Sequence, residues 1–108
     1  MTKIPETFDE ALTECEKLLG ENLKAFIILP EKDMCLYHHN LGRYIRNSWG
    51  FWRGDGKLKK WFHDKGILHP DDMSSIIIDS THRKLNNKPI ELENQIQYYI
   101  DYWKREKK

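Results

Sequence analysis

The sequence predicts an all-α fold: a single compact domain of five or six helices packed around a central helix at about residues 31–49. Three observations predict it. Apolar residues recur at helical spacing in successive stretches. Caps, glycines and prolines punctuate those stretches, leaving short loops between them. The one strand-like run, Ile76-Ile77-Ile78, has no second run to pair with.

The first helix opens on Thr7-Phe8-Asp9-Glu10, a capping box in which a hydroxyl and a carboxylate satisfy free backbone N–H groups. Phe8, Leu12, Cys15, Leu18 and Leu19 then recur at helical spacing beside Ala11, and Gly20 ends the helix. Cys15 on that face reads as a small buried hydrophobe. A short second helix spans Glu21 to Ile28, and Pro30 separates it from the central one. In the central helix Met34, Tyr37, Leu41, Tyr44, Ile45 and Trp49 trace a core stripe. His38, Gly42 and Arg46 line its shoulder.

Gly50 closes the central helix, and Arg53-Gly54-Asp55-Gly56 is a turn. Asp55 is placed to cap a fourth helix, Lys57 to Lys65, with Leu58, Trp61 and Phe62 inward. The fifth helix opens at His69-Pro70-Asp71-Asp72, where proline suits the first turn and the acids suit the positive helix end. Leu92, Ile96, Tyr99, Ile100 and Trp103 mark a sixth. Lys104–Lys108 is a basic tail expected to fray.

A chain of 108 residues fits one domain, and 39% hydrophobic with 32% charged residues argues against disorder. Thirteen aromatics supply much of the core. Two cysteines, Cys15 and Cys35, make no disulfide framework; with no secretory signal the chain fits a reducing cytoplasm. The longest apolar run, Ala25 to Leu29, is too short to span a bilayer. Charge is segregated. Residues 1–35 carry −4, residues 36–65 carry +5, and residues 66–108 are neutral, for a net +1.

Two motifs carry a family resemblance: HHNLGRYIRNSWGFW and HPDDMSS, in that order, after an opening IPETFDEALTECEKLL. Across about Ile4 to Trp103 the chain resembles a family of small bacterial proteins known as a domain of unknown function. The matching positions are His38, Leu41, Gly42, Ile45, Arg46, Asn47, Trp49 and Trp52, then His69 to Ser74. The resemblance implies an all-helical fold and no particular activity. Asn40 stands where a glycine is usual, and a lysine-rich stretch follows Gly56.

The candidate chemistry is modest. There is no CxxC and no HExxH, and the five histidines lack a ligand layout, so no metal and no cofactor are expected. His38 or His82 with Asp71 or Asp72 could form a hydrolytic pair. The candidate nucleophiles Ser48, Ser74, Ser75 and Cys35 sit in no recognisable elbow, so catalysis is not the expectation. Gly42 predicts close approach of another backbone, with Arg46 meeting Asp71 or Asp72 and His38 or Asn47 completing a structural polar network. Losing Arg46 from a buried network of that kind costs about 3–5 kcal/mol. The expected function is a cytoplasmic protein-interaction module, immunity-like or regulatory. Its contact face is Arg43, Arg53, Lys57, Lys59 and Lys60, with Trp52 as an aromatic anchor and an acidic protein as partner. Nucleic-acid binding through the basic 43–65 segment and a small anionic-ligand pocket around Arg46 are the alternatives.

Overall fold

The computed structural model describes residues 4–106. Six α-helices follow one another among them: α1 (Phe8–Leu19), α2 (Leu23–Ile28), α3 (Cys35–Ser48), α4 (Lys57–Asp64), α5 (Pro70–Leu85) and α6 (Leu92–Glu106). Single 3-10 turns at Gly20–Asn22 and Glu31–Asp33 precede α2 and α3. They form one compact globule with a radius of gyration of 13.4 Å, close to the roughly 13 Å of a 100-residue domain.

The all-α expectation holds, but the hub is α5. It packs against α1, α2, α3 and α6. Met73, Ile76, Ile77 and Ile78 are fully buried, together with Ser74, Ser80, Thr81 and His82. The Ile76–Ile78 run is therefore helical and buried on several sides at once. Its hydroxyls are satisfied within the fold. Thr81 Oγ1 donates to the Ile77 carbonyl at 2.7 Å, and Ser80 Oγ accepts from Gln95 Nε2 at 3.0 Å.

The element expected at 31–49 divides into the 3-10 turn and α3, joined through Met34. Its buried stripe runs through Met34, Gly42, Ile45 and Trp49, whereas Tyr44 is 43% exposed. The stripe is turned toward Gly42 because α5 lies there, with Ser74 and Ile78 beside that glycine.

Local signals behave as physical chemistry dictates, with three differences. Thr7 caps α1 through the Glu10 N–H, but the Glu10 carboxylate accepts from the Glu6 N–H, one residue before the cap. Gly56, not Asp55, is the N-cap of α4. Gly54 permits that turn: a Cβ there would lie 2.6 Å from the Gly50 carbonyl oxygen, which accepts the Gly54 N–H. At the other end of the chain α6 runs through Glu106, so Lys104 and Arg105 fall within the helix; Lys107 and Lys108 lie outside the described residues. Cys15 is buried, and desolvation pushes its thiol up to about 11.

The C-terminal half of α5 closes the end of α2. His82 Nε2 donates to the Leu29 carbonyl at 2.8 Å, and Asn86 Nδ2 to that of Ile27 at 3.1 Å. Arg83 then ties three segments together. Its Nε is 2.6 Å from Glu31 and its Nη1 is 2.9 Å from Glu91. Desolvation works against the guanidinium's charge, but the bonds from Glu31 and Glu91 outweigh it and raise its pKa. Replacing Arg83 by Ala is expected to destabilise the fold by about 1–3 kcal/mol, since bonds to charged groups are the stronger kind. Arg43→Ala, at an exposed position on α3, is expected to change stability by less than about 0.5 kcal/mol. Urea titration checks both; equal midpoints for the two variants would contradict the assignment.

Candidate functional site

The site gathers where the C-terminal half of α3, the loop after it, the start of α5 and the end of α6 meet. Arg46 is its fixed point. The side chain folds back along its own helix and is only 14% exposed. Its Nε is 3.1 Å from Asp71 Oδ1, and its Nη1 donates to Ser74 Oγ at 2.9 Å and reaches the His38 carbonyl at 3.4 Å. Gly42 makes this possible. A Cβ there would stand 2.8 Å from Arg46 Nη1. The glycine therefore makes room for a guanidinium rather than for a second backbone, at a cost of about 1 kcal/mol against alanine in a helix interior.

Two sides of the Arg46 fork are thus occupied. Its other terminal nitrogen, Nη2, has no partner among the described residues. Arg46 forms one wall of an open cleft of about 580 Å³ whose other walls are Asn47, Gly50, Trp52 and Arg53. Arg53 and Asn47 are exposed, and Trp52 is 51% exposed.

A row of aromatic rings leads away from the cleft. Trp52 meets His69 edge to face at 6.1 Å, His69 stacks on Trp103 at 5.4 Å, and Trp103 meets Tyr102 edge to face at 5.2 Å. His69 is held in place as the N-cap of α5, its Nδ1 accepting the Asp71 N–H at 3.2 Å. Trp103 is held by its indole N–H, which donates to Asp72 Oδ2 at 2.7 Å. Beside the row lies a second, apolar hollow of about 350 Å³ formed by Gly66, Leu68, Ile100 and Trp103, with Lys104 at its rim. Asp72 is buried, and desolvation raises its carboxyl above the ordinary range; the Trp103 bond and His69 oppose that rise, and Asp71 adds to it.

The polar residues expected to form one network are divided among separate partners. Arg46 takes Asp71, with Ser74 and the backbone of His38. The His38 ring turns instead to Asp79, at 3.0 Å. Asp72 belongs to Trp103, and Asn47 stands in the cleft wall with no bond to the network. The hydrolytic pairing is not assembled: Ser74 Oγ donates to the Asp71 carbonyl, and the His82 ring faces Leu29. Among the described residues no group of three His, Cys, Asp or Glu side chains could hold a metal ion.

The expected basic face is also divided. Arg43, Arg53, Lys57 and Lys60 are exposed, with Lys57 3.4 Å from Glu6, whereas Lys59 donates to the Gly54 carbonyl at 2.9 Å. Sequence reasoning missed Asp79, His69 as a cap, and Trp103 as part of a surface. His69 had a signal, since it directly precedes a proline in the first helical position. Trp103 had none, because it continues the apolar spacing of α6.

A family model spans residues 4–85, which include both motifs and every residue of the cleft. The chain belongs to the family described as a domain of unknown function (DUF6794). The DUF6794 match covers α1 to α5 and ends before α6, so Trp103 and Tyr102 of the aromatic row lie beyond it. Neither the curated proteins nor the solved structures include a match to the chain.

Two stability outcomes follow. Because Asp71 is 57% exposed, water can solvate it once Arg46 is gone, so Arg46→Ala is expected to cost about 1–2 kcal/mol rather than the 3–5 of a sealed pair. A loss above about 3 kcal/mol in chemical denaturation would contradict this.

For Asp72 the sign is set by its raised pKa. The unfolded chain ionises first, so the group's contribution is full below about pH 3.8 and is lost as pH rises through the folded value. Asp72→Asn keeps an acceptor for the Trp103 N–H and removes the buried charge. Its melting temperature is expected to equal or exceed the wild type's at pH 7, with any gain shrinking as pH falls toward 4. A clear drop at pH 7 would show that the carboxylate itself is needed.

Proposed function

We propose that this DUF6794 protein is a binding module that docks an acidic segment of another protein. One observation carries the reading: the row Trp52–His69–Trp103–Tyr102 is a continuous, partly exposed aromatic surface with Arg53 at one end and Lys104 at the other. All four side chains are more than a third exposed. Tryptophan, tyrosine and arginine are the side chains that most often anchor protein interfaces. They bury large areas with few rotors to immobilise. The excess charge of residues 36–65, +5 in sequence, favours an acidic partner and would hasten its arrival.

The basic 43–65 segment supports nucleic-acid binding less well. Lys59 is engaged within the chain, and Trp61 is half-buried against Phe8 at 5.2 Å. Few aromatic faces of that segment are left for base stacking.

Affinity capture from the source cells tests the proposal, comparing the wild type with a Trp52→Ala, Arg53→Glu variant of unchanged melting temperature. The expected result is a partner that, once purified, binds the wild type at least tenfold more tightly than the variant. Its affinity should weaken between about 50 and 200 mM salt, as exposed charges are screened. A variant that retains every partner would overturn the proposal.

A further inference from the structure

We propose that the cleft beside Arg46 is a carboxylate-recognition site, and that the docked segment presents an Asp or Glu there and a large apolar side chain to the hollow beside Trp103. The inference rests on the docking function proposed above and names the chemistry of the partner.

Arg46 shows how the cleft is organised. A guanidinium on a surface helix ordinarily explores many rotamers, and ordering it weakens binding. Here that freedom is already removed. Asp71, Ser74 and the His38 carbonyl fix two of the three nitrogens, and the missing side chain at Gly42 gives the group its place. Nη2 remains to donate. Arg53, exposed in another wall of the cleft, brings a fork with no partner among the described residues that matches the two oxygens of a carboxylate. Asn47 adds an amide, and the Trp52 ring forms an apolar wall. Asp71 offsets one of the two cationic charges, which leaves the cleft with about one net positive charge, suited to a single carboxylate.

The second hollow has the opposite chemistry. Leu68 is 66% exposed and Ile100 and Trp103 complete an apolar lining, so a Leu, Met or Phe side chain would exclude water there. Trp52 lines the cleft and His69 lines the hollow, with their rings 6.1 Å apart, so the two are near enough for one short segment to reach both. Acidic and apolar groups would then be read together, and neither alone would bind well.

The test uses a random twelve-residue peptide library displayed on phage and panned on the full chain. The wild type should enrich peptides that pair Asp or Glu with a large apolar residue. For a synthetic peptide made from that pool, changing its acid to the amide should weaken binding at least tenfold. Arg53→Glu should do the same to the acidic peptide and shift its own pool toward Lys and Arg. Gly42→Ala is the second, more specific variant. Its methyl displaces Arg46 without removing any charge, so it should reduce the preference for an acid while leaving the apolar preference and the helical circular dichroism unchanged.

A wild-type pool enriched in apolar residues but not in acids would overturn the carboxylate site and leave the docking function standing. A pool no richer than that of Trp52→Ala would overturn both. Undiminished acid preference in Gly42→Ala would show that Arg46 is not part of the recognition.

Discussion

Ile76, Ile77 and Ile78 are consecutive residues of one helix, so their side chains point about 100° apart, and all three are fully buried. A helix can meet that condition only if other elements cover it on several sides. α1, α2, α3 and α6 do so, and the rest of the architecture follows from their attachment to α5. The covering helices need only one apolar face each. α5 itself must bury serines, a threonine and a histidine. They bond to backbone carbonyls of α5, to that of Leu29 just after α2, or to Gln95, so the burial leaves few orphaned groups. His82 Nδ1 and Trp49 Nε1 are buried without a partner among the described residues. Each such atom costs about 1–3 kcal/mol, which the surrounding apolar burial offsets.

A helix buried along its length meets the surface at its ends. The N-terminus of α5 supplies the His69 cap, Asp71 and Asp72, and each of them positions a group from another element. Asp71 holds Arg46 of α3, Asp72 holds Trp103 of α6, and His69 stacks on Trp103 while meeting Trp52 edge to face. Free backbone N–H groups at this end favour negative charge. That makes it natural for acids to gather there and then to organise cations and indole donors around them. The two hollows flank this assembly.

The aromatic row joins parts of different standing. Trp52 and His69 lie within the DUF6794 match, whereas Trp103 and Tyr102 come from α6 beyond it. The cleft at Arg46 is thus complete within the matched region. The apolar hollow depends on α6, which supplies Ile100, Trp103 and Lys104. A chain with the same first five helices and a different sixth would keep the cationic cleft and alter the apolar side.

Much of the fold was legible from local chemistry. Thr7 and Gly20 bound α1, Pro70 opens α5 in its first turn, and Gly66 ends the α4 segment with a backbone that favours glycine. Such signals act over a few residues, so spacing alone reveals them. Arg46 could be singled out because it follows a helix-interior glycine by four positions. The sequence alone thus determined the helices, their approximate limits and the tension at Gly42. Tertiary structure alone decided that α5 is the hub, that Tyr44 faces solvent, and that His38 takes Asp79 while Asp72 takes Trp103. Periodicity places an apolar stripe but does not say which neighbour covers it. Two acids side by side look alike in sequence. The helix turns them about 100° apart, and only the packing of α3 and α6 against α5 assigns each its partner.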